Sequence, residues 1–253
     1  MKWKNKAAFV LIIAALLLNA CSFSATPTPT ATPSATNTPA PTSTKTPTPT
    51  ITPLPTRTPN LTATQRTAEW NAEIQKYFEE GYIGTVEGKI KKLPDFAESW
   101  AQLDWYTTWN MGETVSNFVL SAHFEWANAS KTPNPSGCGI VFAIQEDGGD
   151  FSVFLDQKSI IYLHTKYNRG YYVGRTRGSG KVNIETPAKA DFALIVYDYY
   201  SYVIVDGEVV GEYSLPQSDN IEGDLGISIL SGTNKGTGTT CEITNMRLWT
   251  PNP

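Results

Sequence analysis

From residue 85 onwards, hydrophobic and polar residues alternate along the chain in short runs. The clearest run is 118–126, where one face of a predicted strand carries Phe118, Leu120, Ala122, Phe124 and Trp126 and the other carries Ser121, His123 and Glu125. The runs 139–144 and 151–155 are apolar on both faces, as expected of central strands. The remaining runs predict strands at 159–164, 171–176, 192–197, 202–205, 225–230 and 241–249.

Turn residues separate these runs. The tetrad 198–201 predicts a turn, and the Asp206-Gly207 pair between two β-branched runs predicts a tight hairpin. Predicted strands recur every 8–15 residues, and no long helix lies between them. The sequence therefore predicts an all-β fold, an antiparallel β-sandwich of the jelly-roll type, in residues 81–253.

One helix is predicted before the strands. Trp70, Ile74, Tyr77 and Phe78 recur at helical spacing, and Gly81 follows as a C-terminal cap, which predicts a helix over 63–80. We expect this apolar stripe to pack as a brace on the sandwich. The alternative is a helix that contacts another protein.

The first residues have the pattern of an export signal. Three lysines (Lys2, Lys4 and Lys6) precede an apolar run at 7–18 that is short for a membrane-spanning helix. The tetrad Leu-Asn-Ala-Cys at 18–21 resembles the lipobox of bacterial lipoproteins. In that family the cysteine is acylated and the chain is cut before it. The resemblance implies a signal peptide at 1–20, lipidation of Cys21, and an exported domain anchored by lipid to the bacterial cell envelope and facing outside the cytoplasm. The alternative is an ordinary signal peptide with an incidental cysteine.

A spacer is predicted between the anchor and the helix. Residues 21–62 are dominated by Thr, Pro, Ala and Ser, with almost no apolar periodicity. Proline favours extended backbone, so we expect a disordered, polyproline-like segment, whose Pro/Thr-rich tract at 26–59 reaches roughly 100 Å when extended.

The charge balance limits the partners. The chain has a formal net charge of −4, and removal of 1–20 with its three lysines would leave −7. Nucleic acids and anionic lipid surfaces attract positive charge, so we expect no nucleic-acid partner. The membrane would be held through the acyl chains of the anchor.

The later strands resemble a known superfamily. The succession GCGIVF, DFSVFLD, FALIVYDYYSYVIVDGEVV, GDLGISILSGT and CEITNMRLW is similar to the concanavalin A-like lectin/glucanase superfamily, especially its laminin-G-like bacterial members. The resemblance covers residues 85–250. It implies a β-sandwich and a carbohydrate-facing role, although a fold alone does not fix function.

Two cysteines remain after Cys21. Cys138 and Cys241 form an even pair in a protein predicted to be exported, which favours a disulfide between them. The alternative is two buried free thiols.

Catalysis has little support in the sequence. The glucanases of this superfamily carry their carboxylates in an E-x-D-x-x-E pattern, and here Ile227 stands where the second glutamate would follow Glu222 and Asp224. His123 and Glu125 share the polar face of one strand and are the candidates for an acid–base pair. A solvent-facing strand would also carry these two residues without any catalytic role. Whether the protein is an enzyme stays open, and the missing pattern favours binding.

Glycan sites pair aromatic rings with polar side chains. The candidates for ligand binding are Trp105, Tyr106, Trp109, Tyr167, Tyr171 and Arg175. Arginine in this set would suit acidic polysaccharide. The alternative is that the rings are ordinary packed residues of strands.

Calcium is the only cofactor that the sequence suggests. Asp147 and Asp150 lie in an acidic, glycine-containing loop, and calcium prefers several oxygen ligands on a pliable scaffold. The alternative is a simple hairpin loop.

These patterns together lead to one hypothesis and two alternatives. The hypothesis is a membrane-anchored, surface-displayed lipoprotein whose β-sandwich binds extracellular polysaccharide or another glycan without cleaving it. The first alternative is a glycoside-processing hydrolase or lyase of the same superfamily. The second is a module for protein adhesion.

Overall fold

The computed structural model describes residues 61–131, 134–156, 159–166, 169–177 and 187–253, without the side chains of 61–64 and 174–177. The predicted signal peptide, Cys21 and nearly all of the predicted spacer lie outside these residues. No helix in the described segments is long and apolar enough to cross a membrane.

Within the described residues the chain forms one helix and thirteen strands. They are α1 (Leu61–Glu79), β1 (Gly88–Lys92), β2 (Phe96–Trp100), β3 (Trp105–Val115), β4 (Phe118–Asn128), β5 (Gly137–Ile144), β6 (Asp150–Asp156), β7 (Ser159–Lys166), β8 (Arg169–Arg177), β9 (Ala188–Tyr197), β10 (Tyr200–Val205), β11 (Glu208–Ser214), β12 (Gly223–Ser231) and β13 (Thr239–Pro251).

The strands form two antiparallel sheets that pack face to face, which confirms the predicted sandwich. Sheet A has the order β1-β13-β4-β9-β10-β11, with β2 also paired to β13. Sheet B has the order β3-β12-β5-β6-β7-β8. The two all-apolar runs became β5 and β6, which are interior strands of sheet B, as predicted. The first three strands were not predicted individually, because their residues alternate weakly and stay largely exposed.

The alternation along β4 explains how the core is built. The five apolar residues predicted to share a face are all buried between the sheets, whereas Ser121, His123 and Glu125 lie on the outer face of sheet A. Each sheet contributes its alternate apolar residues to one continuous core, from Phe118 on β4 to Phe142 on β5. Burial of one face per strand fixes the register of the pairing.

Two tight turns set the order of strands at one edge of sheet A. Asp206 and Gly207 have φ of 51° and 80° and join β10 to β11, as the sequence predicted. Two positive φ values are the mark of a type I′ turn, whose twist matches that of paired strands. The turn predicted at 198–201 is shorter than expected. Only Asp198 and Tyr199 form it, with φ of 48° and 64°, and β10 begins at Tyr200.

Helix α1 braces the sandwich, as predicted. Trp70, Ile74 and Tyr77 are buried against the outer face of sheet A. The helix ends in a Schellman motif, in which the amide of Tyr82 donates to the carbonyl of Tyr77 and Gly81 takes a φ of 79°. Phe78 was wrongly placed in the buried stripe: it is 42% exposed, because the buried stripe passes through Ile74 and Tyr77 and Phe78 falls to one side of it.

The predicted disulfide is present. Cys138 on β5 and Cys241 on β13 are bonded, with their Cα atoms 5.7 Å apart and their positions 103 apart in sequence. Since β5 belongs to sheet B and β13 to sheet A, the bond joins the two sheets across the core.

Candidate functional site

The outer face of sheet B is strongly concave. The hydroxyl of Tyr106 on β3 lies 3.0 Å from Oγ1 of Thr165 on β7, although three strands separate β3 from β7 in the sheet. Strands at ordinary spacing would place these two on the order of 19 Å apart along the sheet. Two side chains can meet over that span only because the sheet curls and brings its flanks together.

Apolar side chains line this concavity. Phe154, Ile161 and Leu230 form a buried cluster on the outer face, which we call the apolar floor, and Tyr106 and Leu163 pack against it. The register explains the cluster, since cross-strand partners in an antiparallel pair share a face. Phe154 lies opposite Ile161, and Leu230 lies opposite Tyr106.

Three aromatic side chains border the apolar floor, and we call them the aromatic rim: Trp105, Tyr106 and Tyr172. Trp105 is 58% exposed and its ring lies parallel to that of Tyr106, with centroids 6.4 Å apart. Tyr172 is 64% exposed and lies opposite Leu163, so it borders the same floor from β8. The floor itself is buried, so the exposed rings of Trp105 and Tyr172 are the apolar surfaces that this face offers to a ligand.

A polar pocket adjoins the rim at Thr165. It is a cavity of about 210 Å³ lined by Asp150, His164, Thr165, Lys166 and Asp219, among others. Asp219 is largely buried and pairs with Lys166 Nζ at 2.5 Å and with His164 Nε2 at 3.4 Å. Of its lining residues, Asp150 and Thr165 lie on the same face of sheet B as Tyr106, whereas His164 and Lys166 alternate with Thr165 along β7 and lie on the other face.

Burial shifts the pKa values of two groups in and beside the polar pocket. Burial raises the pKa of Asp150 above its ordinary value, and hydrogen bonds from Ser152 and Thr165 and the proximity of His164 offset part of that effect. Burial also raises the pKa of Tyr106, so this phenol stays protonated and able to donate. The arrangement is a preformed set of hydrogen-bonding groups, suited to ligand hydroxyls.

A second polar network lies further along β3. Asp224 on β12 accepts hydrogen bonds from Asn110 Nδ2 and Thr114 Oγ1, both at 2.8 Å. These two bonds, the one from Asn110 first, hold the pKa of Asp224 below its ordinary value. They span the bulge in β3, where the pairing with β12 shifts between Leu225 and Gly226.

The structure separates the predicted ligand-binding residues. Trp105 and Tyr106 lie together in the aromatic rim. Trp109 packs partly buried toward the core, edge-on to Phe96 with ring centroids 5.2 Å apart. Tyr171 is half exposed but lies opposite His164, whose ring faces the core side of sheet B.

Two of the predicted residues are outside what the structure describes. Tyr167 lies between β7 and β8 in an undescribed segment. The backbone of Arg175 pairs with Ile161 in β8, and its side chain is not among those described. Both stay predictions.

Sequence reasoning did not include Tyr172, His164, Lys166 or Asp219 in its binding set. The sequence did not show on which face of sheet B Tyr172 lies. That face depends on a shift in the pairing of β7 with β8, between Tyr162 and Leu163. Asp219 follows β11 in a loop, and its contact with β7 joins residues 53 positions apart in sequence.

His123 and Glu125 belong to a network of surface ion pairs. Asp191 lies 2.8 Å from His123 Nδ1, Glu125 lies 3.5 Å from its Nε2, and Lys189 lies 2.6 Å from Glu125. The hydrogen bond from Lys189 holds the pKa of Glu125 below its ordinary value. Since a general acid needs a raised pKa, this setting does not favour Glu125 in that role. Their catalytic role stays an untested prediction.

The two aspartates suggested for calcium both line the polar pocket. Asp147 Oδ1 accepts from the amide of Gly149, and Asp150 Oδ1 accepts from the hydroxyl of Ser152. Across the described segments, no three His, Cys, Asp or Glu side chains are grouped so that they could hold a metal ion. Asp219, which lines the same pocket, is paired with Lys166 and His164. Calcium binding by Asp147 and Asp150 stays a prediction.

No protein-family model matches the chain, and no curated protein matches it. A carbohydrate-binding module, CBM66 from Bacillus subtilis, is similar in structure with 10% identity and a TM-score of 0.46, over 62% of this chain and 94% of that one. The β-glucanase of Bacillus licheniformis has 8% identity and a TM-score of 0.45, over 66% and 99%. Sheep galectin-11 has 8% identity and a TM-score of 0.37, over 59% and 99%. Similarities of this size carry no functional argument.

Proposed function

We propose that the β-sandwich binds carbohydrate without cleaving it, on the concave outer face of sheet B. The observation that carries this proposal is the contact between Tyr106 and Thr165, which shows that sheet B curls and which brings the aromatic rim beside the polar pocket. Sugars have apolar C–H faces and hydroxyl edges. A sugar would lay its apolar face on Trp105 and Tyr172 and direct its hydroxyls to Asp150 and Thr165, which border the polar pocket on the same face.

Display outside the cell is part of the same proposal. Acylation of Cys21 would anchor the protein, and the Pro/Thr-rich residues 21–62 would hold the sandwich away from the membrane. A binding module on a long spacer can reach glycans beyond the envelope. The disulfide between Cys138 and Cys241 suits an oxidising compartment of this kind.

The absence of the glucanase carboxylate pattern favours binding over cleavage. The glucanase pattern is absent from β12, where Ile227 is buried in the core. The similar structures include both a carbohydrate-binding module and a glucanase, so they do not separate the two activities.

Affinity electrophoresis of the purified protein tests the proposal. We expect one or more polysaccharides in a panel of neutral and acidic polymers to retard migration, with no new reducing ends after prolonged incubation. EDTA in a parallel gel tests calcium, and loss of retardation there would restore Asp147 and Asp150 as ligands. Release of reducing ends would support the hydrolase alternative.

Matched tyrosine and tryptophan variants localise the site. Burial of about 50 Å² of ring against a sugar contributes roughly 1 kcal/mol, so Trp105→Ala and Tyr172→Ala should each weaken binding about fivefold. Tyr200→Ala is the control, because Tyr200 is also exposed but lies on sheet A. Equal losses of affinity in all three variants would show that the binding site is not on the concave face. Retention of a protein partner that added glycan does not displace would favour the adhesion alternative.

A further inference from the structure

A second groove lies on the opposite side of the sandwich, between α1 and the outer face of sheet A. It has two compartments. One, of about 310 Å³, is lined by Arg66, Trp70, Ile90, Lys92 and Arg247, among others. The other, of about 350 Å³, is lined by Glu73, Ser121, His123 and Asp191, among others, and both compartments share Trp70 and Arg247.

Arg247 stands at the junction of the two compartments. Its guanidinium lies over the ring of Trp70, with its central carbon 4.8 Å from the ring centroid. The register fixes the rest of its position, because Arg247 on β13 lies between Lys92 on β1 and Ser121 on β4. The side chain is therefore held in place by packing and not by an ion pair.

The cations of the first compartment have no hydrogen-bonded or ion-paired carboxylate in the part of the chain that the structure describes. Arg66, Lys92 and Arg247 make no side-chain hydrogen bond or ion pair there. Burial lowers the pKa of Arg247, the nearby carboxylate of Glu73 raises it, and the like charge of Arg66 lowers it. A half-buried guanidinium with unused donors is stabilised by an anion that can accept from them.

The charge balance limits the anion. Glu69 and Glu73 also act electrostatically on Arg247, so three cations and two carboxylates leave one net positive charge around the compartment. That excess suits a singly charged group such as a carboxylate better than a phosphate dianion. The apolar walls at Ile90 and Trp70 suit a ligand whose charge is attached to a carbon skeleton.

The second compartment is rich in hydrogen-bond acceptors. Glu73 Oε1 accepts from the hydroxyls of Tyr77 at 2.7 Å and Ser121 at 3.0 Å, and His123 Nδ1 lies 2.8 Å from Asp191. These groups suit hydroxyls of a ligand and repel a second negative charge. A ligand with one acidic end and one hydroxylated end would lie in a single orientation.

We propose that this groove binds a sugar acid, with its carboxylate at Arg247, Arg66 and Lys92 and its hydroxylated ring toward Glu73 and Asp191. The site is on sheet A, whereas the aromatic rim is on sheet B. The proposal therefore stands or falls independently of glycan binding at the concave face.

Calorimetric titration of the purified protein with sodium glucuronate tests the site, with glucose and inorganic phosphate as comparison ligands. Glucuronate should bind at millimolar concentration or below, and glucose should bind at least about tenfold more weakly, because it lacks the charge-assisted hydrogen bonds. Equal binding of glucose, or no binding of glucuronate, would overturn the proposal. Tighter binding of phosphate than of glucuronate would overturn the assignment to a sugar acid.

Charge-removing variants locate the anion. Arg66→Gln and Lys92→Gln change exposed side chains and should each weaken glucuronate binding by about threefold to fivefold. Lys89→Gln is the matched control, because it lies on the same strand with its side chain on the other face and should change nothing. Arg247→Gln should weaken binding at least about tenfold. If that variant fails to fold, the two exposed variants against their control decide the question alone, and unchanged affinity in both would overturn the assignment.

Discussion

Cys138 and Cys241 lie on different sheets, and their disulfide fastens the two layers of the sandwich at a point where both residues are buried. The bond closes a loop of 103 residues. In the chain-entropy account, a loop of that length restricts the unfolded state by about 4–5 kcal/mol.

The first prediction concerns this bond. The double variant Cys138→Ala/Cys241→Ala should lose about 4–5 kcal/mol of unfolding free energy, measured by urea denaturation. Wild-type protein unfolded in reductant is the control and should behave like the variant. A loss below about 1 kcal/mol would mean that the bond adds little to stability.

The second prediction concerns the closure of the concave face. Tyr106→Phe removes the hydroxyl that meets Thr165 but keeps the ring. It should lower the unfolding free energy by about 0.5–1.5 kcal/mol. Stacking of a sugar on Trp105 should persist, so any polysaccharide that binds the wild type should still retard this variant.

Tyr200→Phe is the matched control for that measurement. Tyr200 is half exposed on β10, so loss of its hydroxyl should leave stability within about 0.5 kcal/mol of the wild type. If Tyr200→Phe lowers the unfolding free energy as much as Tyr106→Phe does, the contact with Thr165 contributes no more to stability than an exposed tyrosine hydroxyl.

The third prediction concerns the brace formed by α1. Ile74 is buried against sheet A, so Ile74→Ala should cost about 2–4 kcal/mol in thermal or urea unfolding. Phe78→Ala, on the same helix but exposed, should cost about 0.5 kcal/mol or less. Similar losses from the two variants would contradict the packing described for α1.

The fourth prediction concerns pH. Lys189 holds the pKa of Glu125 below its ordinary value of 4.5, so the folded state favours the carboxylate. The resulting stabilisation is present above the unfolded pKa and is lost as the pH falls through the folded pKa. The difference in stability between wild type and Glu125→Gln should therefore be present at about pH 6 and shrink toward about pH 3.

Thermal unfolding of both proteins across that range measures the effect. Lys189→Gln should remove the same pH dependence, because it removes the largest cause of the shift. A difference that grows as the pH falls would contradict the ion pair between Glu125 and Lys189.

Local patterns determined much of the fold. The alternation of apolar and polar residues along β4 determined which of them face the core, because successive side chains of a strand point to opposite faces and only one face is buried. The Asp206-Gly207 pair fixed a hairpin, since its backbone accepts two positive φ values. The spacing of Trp70, Ile74 and Tyr77 fixed both the helix and its buried side.

Only the tertiary structure decided which residues meet at the candidate sites. Tyr106 reaches Thr165 because sheet B curls, and no local pattern encodes the curvature of a six-stranded sheet. Arg247 lies over Trp70 because a helix from one end of the domain packs on the last strand, 177 residues later in sequence. The chemistry of a site depends on such distant pairs. Short-range periodicity reports only which side of an element is buried, and it carries no information on which buried or exposed sides are brought together.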